Sequence, residues 1–273
     1  MSKRLSSLIT TVGAVAVASG VLLAGGASGA TSLPTLNVAL TGTSGVSVSG
    51  STESGAVTVV STATDPGHQV AIVRLNPGVT FQQAIGAVRR QHGDPNALTP
   101  YGAIVFDAGA PSTTQTVLTP GDYAALNVTG TEPGGFAPFT VTQSPSPATL
   151  PAATATQTAI EFNFRGPTVL RDRTIVRTQN DGYLAHMIYG IGVRTVATAR
   201  RMMALLVAGH DGKAERLSNG QSLGLAGPLS SGGMQQSVLQ AKPGYYVEVC
   251  FMDTQDHREH TQLGMTRLIR VVQ

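Results

Sequence analysis

Five side chains in the last third of the chain carry the donors that a transition metal would use: His186, Cys250, His257, His260 and Met265. Imidazole, thiolate and thioether are borderline to soft ligands, and they favour transition ions over calcium or magnesium. Cys250 is the only cysteine in the 273 residues. A lone cysteine forms no internal disulfide, and outside the cell a free thiol is exposed to oxidation. It is therefore either a small buried hydrophobe or a ligand whose thiolate a metal keeps occupied. Nine residues separate Cys250 from His260, and four separate His260 from Met265. His257-Arg-Glu-His260 also reads as H-x-x-H, a zinc spacing. Zinc prefers a closed tetrahedral set, however, and would leave Met265 without a role. His257 lies between Asp256 and Arg258 and reads as a solvated loop residue, so His260 is the preferred imidazole.

The elements that must position these groups read as short strands broken by Gly, Pro, Ser and Thr turns, with one helical pattern in each half. The stretch from Ser144 to about Thr156, SPSPATLPAATAT, reads as an extended linker between two parts of similar length. Residues 31 to about 50 are polar and read as a loose lead-in or a first edge strand. Five features then recur in the same order in both parts. A histidine, His68 or His186, lies between β-rich runs. A helical face follows, Phe81, Ala84, Ile85 and Val88 in one part and Val196, Met203, Leu206 and Val207 in the other. Strand-like runs Thr114–Leu118 and Gln235–Leu239 come next. Pro-Gly turns follow, each with a Tyr two residues beyond the Gly, in LTPGDYAALN and AKPGYYVEVC. Each part closes on a strand, FAPFTVTQ and MTRLIRVVQ. This order predicts an internal duplication.

The tail CFMDTQDHREHTQLGM and the upstream YLAHMIYG resemble the ligand segments of cupredoxins. In that family a Cys ends one strand, a His sits in the following loop, and a Met precedes the last strand. The resemblance covers about residues 161 to 273, and more loosely about 46 to 143. It implies an all-β protein of two tandem Greek-key β-sandwich domains, each with a short inserted helix. The domains would span residues 31–143 and 157–273, with residues 144–156 as linker. It also implies one type 1 copper ion, held in plane by His186, Cys250 and His260 with Met265 as the weak axial ligand. Two imidazoles, a thiolate and a long thioether suit both oxidation states of copper. The Cys250–His260 loop is longer than in small plastocyanin-like relatives, which predicts a less rigid site. Aligned on the Pro-Gly turn, Asn127 stands where Cys250 does, and TGTEPGGFAPF supplies no His or Met. The first part is thus expected to lack the metal, with His68 a polar residue satisfied near the surface.

Met-Ser-Lys-Arg, an apolar run from about Leu8 to Ala24 and small residues up to Ala30 have the three parts of a secretory leader, residues 1–30. No other segment is apolar for long enough to span a bilayer. Location is then extracytoplasmic, with a redox or envelope partner and no membrane span once the leader is removed. A net charge of +3 with only 12% charged residues gives no case for nucleic acid. With every coordination position filled, the resemblance implies a one-electron carrier rather than an enzyme. No nucleophile elbow, P-loop or dinucleotide fingerprint is present. Copper storage uses the same ligands. A metal-free secreted protein that binds envelope partners through its loops is the alternative of a different class.

Overall fold

A computed structural model describes residues 32–91, 93–129 and 132–273. The leader expected over residues 1–30 lies outside them. The first half contains β1 (Thr35–Thr41), β2 (Gly45–Gly50), β3 (Gly55–Ala63), β4 (His68–Leu75), α1 (Phe81–Arg90), β5 (Gly102–Ala110), β6 (Ser112–Leu118), β7 (Gly121–Thr129) and β8 (Glu132–Val141). The second contains β9 (Ala155–Ile160), β10 (Asn163–Arg165), β11 (Val169–Arg171), β12 (Ile175–Asn180), β13 (His186–Val193), α2 (Val196–Val207), α3 (Asp211–Glu215), β14 (Ser222–Leu229), β15 (Met234–Val238), β16 (Gly244–Val249) and β17 (Thr266–Val272). The chain is all-β, as the turn-rich composition implies.

Three sheets form. A four-stranded sheet runs β5-β4-β7-β8, a five-stranded one β11-β17-β16-β13-β14, and an eight-stranded one β10-β9-β12-β15-β6-β3-β1-β2. Apart from β11, which pairs parallel to β17 and has no counterpart in the first half, the pairings in the two halves correspond. β1 lies parallel to β3 as β9 does to β12, and β4 lies between β5 and β7 as β13 does between β14 and β16. Within each half, two sheets face each other across an apolar core, the solution open to a sheet with one hydrophobic face. In the first, Leu36, Val38, Leu40, Val57 and Val59 meet Val70, Ile72, Phe106 and Tyr123.

The eight-stranded sheet runs through both halves. Its junction pairs Gln235 with Thr116 and Gln236 with Gln115. Thr116 Oγ1 donates to the Met234 carbonyl at 2.6 Å, and Gln236 Nε2 donates to Gln115 Oε1 at 2.9 Å. The stretch read as a linker is tied to both halves. The Ala56 N–H donates to the Ala148 carbonyl at 2.8 Å, and Gln236 Nε2 donates to the Pro151 carbonyl at 3.1 Å. Gly55 takes φ +120° here, where a Cβ would lie 2.8 Å from the Ala148 nitrogen, so this contact needs glycine.

Two local expectations need correction. Residues 35–41 form an inner strand, not a loose lead-in or an edge. β1 sits between β2 and β3 with Leu36, Val38 and Leu40 inward, while Thr35, Asn37 and Thr41 are exposed and Ala39 is half-buried. α2 buries Ala199, Met202 and Leu206, while Val207 is 46% exposed. The spacing i, i+3, i+7 defines the buried stripe, and Val207 falls one residue past it. In α1 the expected Ala84 and Ile85 are buried with Ala87, and the Thr80/Gln83 capping box fixes its start.

Candidate metal centre

β13 and β16 are antiparallel neighbours in the five-stranded sheet, with Tyr189 opposite Val249. His186 opens β13, and Cys250 follows directly on the last residue of β16. This register brings two residues 64 apart in sequence to the same end of the sheet. The Met187 N–H donates to Cys250 Sγ at 3.4 Å, which fixes the thiol. β13 is buried along its whole length, covered on one side by the core and packed against α2. His260 begins a 3-10 turn (His260–Leu263). Its amide donates to the Met252 carbonyl at 2.8 Å, and the Met265 amide donates to the His260 carbonyl at 2.9 Å.

The imidazoles present Nδ1 to the thiol. Cys250 Sγ lies 3.7 Å from His186 Nδ1 and 3.4 Å from His260 Nδ1, and the two nitrogens are 3.1 Å apart. All three residues are buried, at 0–1% exposure. A point equidistant from corners of a triangle with these sides lies about 2.0 Å from each, close to a first-row metal–imidazole bond length of ~2.0–2.1 Å. Nε2 of both histidines is buried without a hydrogen-bond partner. Burial holds both imidazoles down at about 4, opposed for His186 by the nearby Glu161 carboxylate and reinforced for His260 by His186. Both rings are therefore neutral at neutral pH, the form that ligates. Burial pushes the Cys250 thiol up to about 12, against hydrogen bonds from Met187 and Met252. An electropositive ion is what would hold it as thiolate.

The two late histidines differ in position, with the preferred His260 inside and His257 outside. His257 is exposed at φ +60°, and His260 joins the cluster. Met265 is fully buried in the same apolar cluster as Cys250. The long ligand loop is braced rather than loose. Asp253 and Glu259 form a bridge across it, the Thr254 N–H donates to the Arg258 carbonyl at 2.9 Å, and the Arg258 N–H donates to Thr254 Oγ1 at 3.2 Å.

Three residues around the centre had no sequence signal. Glu161 Oε1 lies 3.8 Å from His186 Nε2 and accepts the N–H groups of Tyr183 and Leu184. The carboxylate thus sits behind the imidazole, beyond hydrogen-bond distance. Gly182 passes so close that a Cβ would lie 2.9 Å from His186 Nε2. Asn96 comes from the first half. It accepts the Ala185 N–H at 2.7 Å, one residue before His186, and donates to the Asp253 carbonyl in the ligand loop at 3.3 Å.

The equivalent place in the first half holds a different pair. His68 is 6% exposed rather than near the surface, and its Nδ1 lies 2.7 Å from Asn127 Oδ1. Asn127 pairs with Val70 on β4, two residues beyond His68, just as Cys250 follows the residue paired with Tyr189. An amide here replaces a thiol, which removes the soft donor and leaves a hydrogen bond.

The fold and the site together define a β-sandwich protein with a buried His–Cys–His centre, and this donor set fits a type 1 copper site. No family model and no curated protein matches the chain. Among solved structures it is similar to auracyanin B, at 16% identity over 45% of this chain and 93% of that one, with a TM-score of 0.26. It is similar to an auracyanin of the photosynthetic bacterium Roseiflexus castenholzii, at 15% identity over 45% of this chain and all of that one, TM-score 0.26. A third is a Cu-containing nitrite reductase from Thermus scotoductus SA-01, at 12% identity over 88% of this chain and 68% of that one, TM-score 0.26. These likenesses are distant. The β-sandwich fold rests on the strand pairing described above, and the centre rests on its own geometry.

Proposed function

We propose that the protein is a one-electron carrier working outside the cytoplasm, in which His186, Cys250, His260 and Met265 would hold copper. The convergence of two Nδ1 atoms and one Sγ within 3.7 Å of one another supports this reading most directly. Copper supplies a one-electron couple when bound. The chain's own residues keep the donors in place in either oxidation state. Met187 holds the sulfur, the turn at His260 is closed by Met252 and Met265, and Glu161 backs His186. A site fixed in this way changes little on electron transfer.

In this reading the two halves are copies of one sandwich, the first having lost its thiol at Asn127 and serving to brace the second through Asn96. Export depends on a leader at residues 1–30, and the partner is another redox protein of the envelope. No helix among the described residues is long and apolar enough to cross a membrane. Loading with copper followed by stepwise chemical reduction and reoxidation tests the carrier role. Repeated cycling without loss of metal is expected. Metal lost on the first reduction, or never recovered in the oxidised form, would make storage or delivery the better reading.

A further inference from the structure

A second built site lies between α1 and the four-stranded sheet of the first half, and Met187 and Met252, neighbours of the proposed ligands, form part of its wall. It is a cavity of about 140 Å³. Its walls include Phe81, Ala84 and Ile85 of α1 and Val73 of β4, and it is closed from the second half by Met187 and Met252. Gln69 and Asp107 are the only polar side chains on the lining among the described residues.

Asp107 is the unusual member. It is 3% exposed, and its Oδ1 is buried without a hydrogen-bond partner. Its backbone is fully used: the N–H donates to Gln235 Oε1 at 3.0 Å, and the carbonyl accepts from Gln235 Nε2 at 3.0 Å. Gln235 thus fixes the backbone of the residue, and the side chain keeps Oδ1 unpaired. A Cβ on Gly227 would collide with Oδ1, so that side is filled by backbone alone. Burial pushes the Asp107 carboxyl well above its usual range. An unpaired buried carboxyl is costly, and a sequence concerned only with packing would place an apolar side chain there. Apart from Gln69 the remainder of the wall is apolar, and an apolar cavity of ~150 Å³ is large enough to bind benzene.

We propose that this cavity is a binding site for a small primary amine with an apolar body of about one aromatic ring, the ammonium donating to Asp107. The ammonium supplies the donors that the carboxyl lacks, and the ring fills the space under α1. The site is independent of the copper reading and is tested without metal.

The probes are benzylamine and its donor-free counterpart toluene, added to the full copper-free chain and followed by amide NMR shifts and titration calorimetry. Benzylamine should bind saturably and shift residues of α1, β5 and the segment around Met252. In Asp107→Asn its affinity should fall at least ~tenfold while toluene binding persists, the loss expected when a charge-assisted hydrogen bond is removed. Ala84→Leu, which fills the space from α1, should abolish binding of both probes. Persistent toluene binding shows that Asp107→Asn is folded and that the cavity is intact. No saturable binding of benzylamine, or equal affinity in parent and Asp107→Asn, would overturn the proposal.

Discussion

Asn96→Ala removes the side chain that ties both ligand-bearing segments to the first half. Besides a local bond to Asp94 Oδ1 at 2.9 Å, two hydrogen bonds to the second half are lost, one to the Ala185 N–H at 2.7 Å and one to the Asp253 carbonyl at 3.3 Å. Each is worth ~1 kcal/mol net, so about 2 kcal/mol of preorganisation is at stake. If all of it falls on the empty centre, copper affinity drops by about thirtyfold, since ~1.4 kcal/mol is tenfold. The assay is competition for Cu(II) against a chelator of known affinity, with thermal unfolding of the metal-free protein run alongside. Asn76→Ala is the control, because Asn76 also holds a turn of the first half, through the Pro100 carbonyl at 3.1 Å, but touches neither ligand segment. Affinity should fall in Asn96→Ala and stay at the parent value in Asn76→Ala. Equal affinity in all three proteins would refute the idea that the first half braces the centre.

Three other outcomes follow from the same geometry. Gly182→Ala would place a methyl group 2.9 Å from His186 Nε2 and 2.6 Å from Glu161 Oε1, so overpacking of ~1–3 kcal/mol is expected, read as a lower Tm together with weaker copper binding. Arg267→Leu strands Glu248, which is fully buried and paired to Arg267 Nη2 at 2.6 Å; denaturant unfolding at neutral pH should show a loss of about 3–5 kcal/mol, the usual penalty for halving a buried pair. Copper loading must displace the Cys250 proton, because burial holds the thiol up at about 12 while both imidazoles, down at about 4, are already neutral. Affinity should therefore tighten by about tenfold per pH unit from pH 7 to 9, with a proton released per ion, as calorimetry in buffers of different ionisation enthalpy would measure. A pH-independent affinity would mean that the thiol does not ligate.

What could be read from the sequence was mostly local. The two Pro-Gly turns carry their meaning within a few residues. Tyr123 donates to the Thr119 carbonyl at 2.8 Å and Tyr246 to the Lys242 carbonyl at 2.7 Å, the same corner in both halves. His186, Cys250 and His260 could be singled out because soft donors are few and their order is informative. The joining of the halves through β15 and β6 was not legible. That junction is built from Gln and Thr residues more than 110 positions apart, and such residues carry no hydrophobic period. Asn96 was hidden for the same reason, since its two partners lie 89 and 157 residues away. β1 was obscured because its short alternation, Leu36, Val38 and Leu40 with Asn37 and Ala39 between them, sits inside a Ser/Thr-rich stretch. His68 was misplaced because an imidazole without a sulfur partner looks like a surface residue, whereas Asn127 satisfies it in the core.

The central claim is that Cys250 binds copper together with His186 and His260. The most direct measurement is a visible absorption titration of residues 31–273 with Cu(II), beside a Cys250→Ala control. An intense thiolate-to-copper band is expected in the parent, saturating at one ion per chain, bleached by reductant and absent from the control. A parent that retains no copper, or a spectrum identical to that of Cys250→Ala, would contradict the account.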